Sequence, residues 1–85
     1  MFNICVEVQI PFEDAIYAIP EEDMLIVGES FRGSVRNAAL VSYGGSLFII
    51  DASQEIPETS IRVCGSGIEA VNDLVRELNA TYTDR

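Results

Sequence analysis

The sequence predicts an α+β domain: an antiparallel sheet of about five strands with one C-terminal helix packed on one face. Three patterns lead to this prediction. Residues 2–10 alternate between apolar and polar side chains, which is the period of a strand with one solvated face. Gly44 and Gly45 separate two β-rich runs, as the turn of a hairpin does. Residues 66–82 instead repeat apolar side chains at spacings of three and four, the period of a helix.

The first 20 residues contain two apolar runs. Residues 2–10 are the predicted first strand. Pro11 ends this strand or marks an edge of the sheet, because proline cannot donate a backbone hydrogen bond. Residues 15–19 form a second, short apolar run, which Pro20 closes.

The middle of the chain supplies the other predicted strands. They cover residues 24–27, 38–43, 47–51 and 61–64. Gly28 is expected to end the first of them. The segment at residues 31–37, which contains Gly33, shows no clear pattern.

The C-terminal helix is predicted from a capping signal and an apolar stripe. Ser66 and Glu69 have the spacing of a capping box, in which each side chain bonds an unpaired backbone N–H group of the first turn. The stripe consists of Ile68, Val71, Leu74, Val75, Leu78 and Tyr82. We expect it to face the core.

The segment "IRVCGSGIEAV" at residues 61–71 has the layout of a phosphate-binding loop. It lacks the lysine of a Walker motif, and no second βαβ half follows it. We therefore expect a tight joint between strand and helix, with Gly65 and Gly67 present for backbone geometry. A bound anion at their N–H groups is the alternative.

Two predicted strands, "MLIV" and "LFII", are apolar on both sides, so their sheet must be covered on both faces. One helix covers only one face. The other face is expected to lie against a second layer of the same chain or against another molecule. We therefore predict a homo-oligomer, with a dimer favoured.

Length and composition predict one domain over residues 1–85. The chain is 48% hydrophobic, which is typical of a globular protein. No apolar run approaches the length of a membrane span, and no signal peptide opens the chain. A cytoplasmic protein without membrane contact is the resulting expectation.

The charge is strongly acidic: 14 acids, five arginines, no lysine and no histidine give a net charge of −9. This disfavours direct nucleic-acid binding, which requires basic residues to neutralise phosphates, and favours a basic protein partner. The residues predicted to form an acidic partner-binding surface are Glu13, Asp14, Glu21, Glu22, Asp23 and Glu29. The alternative is that these acids only keep a small domain soluble.

No set of residues predicts catalysis, a metal site or a cofactor. Ser–His–Asp chemistry needs a histidine, and two thiols without histidine do not form a zinc site. The acidic turns are solvated, which gives no reason for a raised pKa. Cys5 and Cys64 are expected to be buried free thiols. A disulfide between them is the alternative and needs an oxidising compartment.

Residues 38–78 resemble a segment of proteasome-type N-terminal-nucleophile hydrolases, which include bacterial and phage-encoded members. In that family a glycine-turn hairpin precedes a strand that ends in Gly-Ser-Gly and a helix that bears a small residue. Gly65, Ser66, Gly67 and Ala70 match this pattern. The family's enzymes need a processed N-terminal nucleophile and usually a lysine, which this chain lacks. The resemblance therefore implies a non-catalytic relative.

Two functions follow from these patterns. The first is a non-catalytic acidic interaction module, in its most specific form an inhibitor that presents carboxylates to a nucleic-acid-binding protein. Alternate residues of a strand lie about 6.6 Å apart, comparable to the phosphate spacing of one nucleic-acid strand. The second is a catalytically dead relative of proteasome-type hydrolases that acts as a subunit or regulator.

Overall fold

The computed structural model describes residues 2–18, 24–52 and 59–83. In these ranges the elements are β1 (Ile4–Val8), α1 (Phe12–Ala18), β2 (Met24–Arg32), β3 (Val35–Tyr43), β4 (Ser46–Ala52), β5 (Ile61–Gly65) and α2 (Ile68–Thr83). The five strands form one antiparallel sheet in the order β1-β5-β4-β3-β2. The predicted α+β fold with a C-terminal helix is confirmed.

Helix α1 is an addition to the predicted fold. It begins one residue after Pro11, whose carbonyl oxygen accepts a hydrogen bond from the Ala15 N–H group at 2.9 Å. Phe12, Ala15 and Ile16 are buried, and their spacing of three and four places them on one side of the helix. Residues 15–18 of the short apolar run therefore belong to a helix, and residue 19 lies outside the described residues.

The two hairpins contain the glycines that their turns require. Gly44 and Gly45 have φ angles of 58° and 81°, so the predicted hairpin is confirmed with a type I′ geometry. Gly33, with a φ of 65°, and Ser34 form a second two-residue turn between β2 and β3. Gly28 does not end its strand: β2 continues to Arg32 past an irregularity in its register.

Both helices pack on one face of the sheet, which we call the helix side. Helix α2 lies against β1, β5 and α1. Val63, Ile50 and Val41 on neighbouring strands are completely buried there. The other completely buried large side chains are Ile10, Phe48, Ile61, Val71, Leu74 and Leu78. Three of these belong to the predicted stripe of α2, whereas Ile68 of that stripe is exposed.

The joint between β5 and α2 is a close contact of backbone with side chains. A Cβ atom at Gly65 would lie 2.9 Å from both Phe48 Cδ1 and Val71 Cγ2. Gly65 is thus needed for packing. The carbonyl oxygen of Gly67 accepts the first hydrogen bond of α2, from the Val71 N–H group at 3.0 Å. Helix α2 begins at Ile68, so Gly67 is the residue that precedes its first turn. A cap at Ser66 would require the helix to begin at Gly67.

Cys5 and Cys64 form a disulfide, so the prediction of two free thiols is wrong. The two residues lie directly opposite each other in the β1–β5 register, with their Cα atoms 4.1 Å apart. Directly opposed side chains share a face of the sheet, which brings the sulfur atoms together. A separation of 59 residues in the chain hides this pairing from the sequence.

Candidate protein-binding surface

The sheet face opposite the helices, which we call the open face, is partly apolar. The register places the Cys5–Cys64 disulfide, Ile49 and Leu40 in one row across four strands. The next row contains Leu47, Ser42 and Leu25. Leu25 is 62% exposed and Leu47 is 49% exposed. Ile49 and Leu40 are half-buried and Cys64 is buried, so the exposure of this face is greatest at Leu25 and Leu47.

A polar row crosses one end of the open face. It contains Glu7, Arg62 and Asp51, which are directly opposite one another on β1, β5 and β4. Arg62 Nη2 lies 3.3 Å from Asp51 Oδ2. Since both side chains are accessible to water, this ion pair contributes little stability and mainly separates the apolar rows from the end of the sheet.

The strongest concentration of exposed apolar side chains lies on the β2–β3 hairpin. Among the described residues, eight large apolar side chains are exposed, and five of them belong to this hairpin. They are Leu25 (62% exposed), Ile26 (38%), Val27 (49%), Phe31 (57%) and Val35 (67%). We call these five residues the β2 surface. Four of them lie on β2, the last strand of the described sheet, and Val35 is the first residue of β3.

Arg36 connects α1 to the β2–β3 hairpin. A second register shift, between Ser30 and Phe31, pairs Phe31 with Arg36. Arg36 Nη1 donates a hydrogen bond to Glu29 Oε2 at 2.7 Å, and Nη2 donates one to Glu13 Oε2 at 3.3 Å.

Burial and an aromatic contact strengthen this ion-pair group. The guanidinium carbon of Arg36 lies 6.0 Å from the ring centroid of Phe12, which permits a cation–π contact. The Arg36 side chain is only 17% exposed. Its hydrogen bond to Glu29 is the main cause that raises the pKa of Arg36 above its ordinary value. Arg36 therefore remains charged and holds two carboxylates together.

The structure brings together only part of the predicted acidic surface. Glu13 and Glu29 are neighbours because both bind Arg36. Asp14 lies in the first turn of α1. The remaining predicted acids, Glu21, Glu22 and Asp23, lie outside the described residues. Two carboxylates sharing one guanidinium leave a net charge of −1 in this group, so the surface is less acidic than the sequence count implies.

Sequence reasoning missed the apolar half of this surface. Gly33 and Ser34, a Gly-Ser pair between Arg32 and Val35, are a hairpin signal that was available in the sequence. A hairpin predicted at that position would have extended the predicted strand at residues 24–27 far enough to include the exposed Phe31. The exposure itself had no signal, since it depends on where the helices end on the sheet.

A groove of about 470 Å³ lies between the Gly44 turn and α2, with Asp73, Arg76 and Glu77 among its lining residues. The described ranges contain no cluster of three or more acidic, cysteine or histidine residues placed to hold a metal ion. Of the described helices, neither combines the length and the apolar character needed to cross a membrane.

Comparison of the chain with protein families, with curated proteins and with solved structures finds no match.

Proposed function

We propose that the protein is a non-catalytic module that binds a basic protein partner. The observation that supports this best is the β2 surface, a set of exposed apolar side chains at a sheet edge of a chain with a net charge of −9. Exposed apolar side chains concentrated in one region of the surface are typical of protein-binding sites. The negative charge would attract a basic partner and accelerate its association.

The most specific form of this proposal is an inhibitor of a nucleic-acid-binding protein. Such a protein carries lysine and arginine side chains that neutralise phosphates. Carboxylates of this chain would meet the same side chains and exclude the nucleic acid. Glu13 and Glu29 support this form, because they lie close together on the surface and keep one negative charge in excess over Arg36.

The test compares two variants of equal charge in affinity purification from the native host. Glu21→Gln/Glu22→Gln/Asp23→Asn removes three charges before β2, and Glu69→Gln/Asp73→Asn/Glu77→Gln removes three from α2. We expect wild type and the α2 variant to recover a basic protein, and the purified chain to inhibit nucleic-acid binding by that protein. The variant at residues 21–23 should not recover it. Recovery that is equal for both variants and insensitive to salt would contradict the proposal.

We also propose that a second copy of the chain covers the open face. Five strands about 4.8 Å apart and about 20 Å long give about 500 Å² per copy, or about 1,000 Å² for a pair, the lower limit of a specific interface. A two-fold axis along β4 would place Ile49 opposite its counterpart and Asp51 opposite Asp51, with Arg62 of each copy one strand to the side of the two carboxylates. Light scattering should give a dimer for wild type and a monomer for Leu47→Lys. A strictly monomeric wild type contradicts this part.

The alternative function is a subunit or regulator related to proteasome-type hydrolases. Its support is the sequence pattern of Gly65, Ser66, Gly67 and Ala70 that carries the resemblance. Affinity purification discriminates the two functions, because this alternative predicts recovery of a protease subunit rather than a nucleic-acid-binding protein.

A further inference from the structure

We propose that residues 28–32 of β2 bind an extended, basic segment of the partner protein as a sixth strand of the sheet. This inference rests on the proposed function and adds its mode of binding, strand addition at a free edge.

The backbone of residues 28–32 is available for such pairing. Among the described residues, β2 pairs with β3 alone, and an edge strand presents backbone N–H and C=O groups without ladder partners on its other side. The first register shift lies before this segment, between Ile26 and Gly28. The second register shift, between Ser30 and Phe31, leaves Asn37 of β3 with no residue opposite it on β2, so the extra residue lies on β3. Residues 28–32 therefore form an uninterrupted edge of five residues.

The side chains of this segment select the chemistry of the added strand. Glu29 lies opposite the buried Ala39, so alternation places Glu29 and Phe31 on the helix side of the sheet. Phe31 is 57% exposed and offers an apolar contact to a neighbouring strand. Glu13, whose side chain is 59% exposed, lies beside Glu29 through their common partner Arg36. A segment with a basic and an apolar residue two positions apart complements this side, because side chains two residues apart share a face of the strand.

The same charges disfavour a second copy at this edge. Antiparallel pairing of two β2 strands around Phe31 would bring the Glu13 and Glu29 carboxylates of both copies to one side of the joined sheet, where they repel. A basic segment removes this penalty, and we therefore assign the edge to a basic partner.

The probe, used with the full chain, is a fluorescent heptapeptide in which the odd positions alternate lysine and valine and the even positions are threonine. We expect the peptide to bind in a titration followed by fluorescence anisotropy. An otherwise identical peptide with glutamate in place of lysine should not bind. N-methylation of alternate peptide amides should weaken binding by about tenfold or more, since it removes the donors of the added ladder. Bound peptide should slow hydrogen exchange of the amides in residues 28–32.

Two variants of the chain locate the site. Phe31→Lys should weaken peptide binding by about tenfold or more, because it removes the apolar contact and adds repulsion. Ile68→Lys is the matched control on α2: it makes the same change at a side chain of similar exposure, 49% against 57%, and should leave binding unchanged. Absence of peptide binding, or equal loss in both variants, overturns the inference.

Failure of this inference is distinguishable from failure of the proposed function. If wild type and Phe31→Lys recover the host's basic protein equally, strand addition is wrong, but the proposed function as an acidic binding module is retained. If wild type recovers no basic protein, the proposed function fails. Concentration-dependent self-association that Phe31→Lys abolishes would assign the edge to a second copy and overturn the inference.

Discussion

The two edges of the sheet differ in length, cover and covalent attachment. Strand β1 has five residues, contacts α2, precedes Pro11 and is bonded to its neighbour β5 by the Cys5–Cys64 disulfide. Strand β2 has nine residues, most of them exposed, and ends in a two-residue turn. The structure thus protects one edge by the means that usually prevent strand pairing and leaves the other accessible.

This difference teaches where stability and binding are located in the molecule. The β1 edge lies beside the core of α2, β5 and α1, and changes there should act on folding. The β2 edge lies beyond the helices, and changes there should act on association.

Removal of the disulfide should have the largest effect. A cross-link between residues 59 apart restricts the unfolded chain strongly, so Cys5→Ser/Cys64→Ser should lower the free energy of unfolding by roughly 2–4 kcal/mol. Urea denaturation measures the change. A reducing agent should destabilise wild type by a similar amount and leave the double variant unaffected. An unchanged midpoint in the variant would show that the bond does not stabilise the β1 edge.

Gly65→Ala should cost about 1–3 kcal/mol, because its Cβ would approach Phe48 and Val71 to 2.9 Å in a packed core. Thermal unfolding gives the size of the effect. Gly67→Ala is the control, since a Cβ there meets nothing within 4 Å and the φ of Gly67 is not positive. If both variants lose equal stability, the close contact is not the reason for Gly65.

Arg36→Met should cost about 1 kcal/mol, more than an exposed ion pair contributes, because the Arg36 side chain is only 17% exposed. Arg76→Met is the control: Arg76 is 76% exposed and pairs with Asp73, so its loss should cost at most about 0.5 kcal/mol. Urea denaturation measures the free energy of unfolding of both variants. A larger loss for Arg76→Met than for Arg36→Met would contradict this prediction.

The pH dependence of the Arg36 contribution follows from the direction of its pKa shift. The folded-state pKa of Arg36 is raised above its ordinary value, so its stabilisation is complete below that value and is lost as the pH rises through the folded pKa. The difference in unfolding free energy between wild type and Arg36→Met should therefore be equal at about pH 6 and about pH 9. A difference that decreases between these values would contradict the assignment.

Phe31→Lys should have the smallest effect on folding. The side chain is 57% exposed at the β2 edge, so the free energy of unfolding should change by no more than about 0.5 kcal/mol. Solubility should increase, since an exposed apolar side chain is replaced by a charge. A loss of stability as large as that of Gly65→Ala would mean that the β2 edge belongs to the core.

Local patterns account for the parts of the fold that the sequence predicted. The alternation of residues 2–10 appears as alternating burial along β1, and the Gly44–Gly45 pair forms the expected turn. The Gly33–Ser34 turn was equally local and was missed because Phe31 and the neighbouring arginines obscured the strand pattern. Helix α1 was missed because only its second half was read as an apolar segment.

The candidate site was less predictable than the fold. Glu13 and Glu29 were selected for their charge, but their proximity depends on Arg36, 23 and seven residues away in the chain. The register shift that places Arg36 opposite Phe31 leaves no mark in composition or periodicity.

Local patterns were sufficient to predict the five strands, the C-terminal helix, the Gly44–Gly45 turn, the helix on one face and the acidic charge. The disulfide, the packing of α1 beside α2 and the exposure of β2 depend on contacts between distant segments. The physical reason is that pairing across the sheet and the area that two short helices can cover are properties of distant segments brought together. A pattern within one segment contains no information about its neighbours in space.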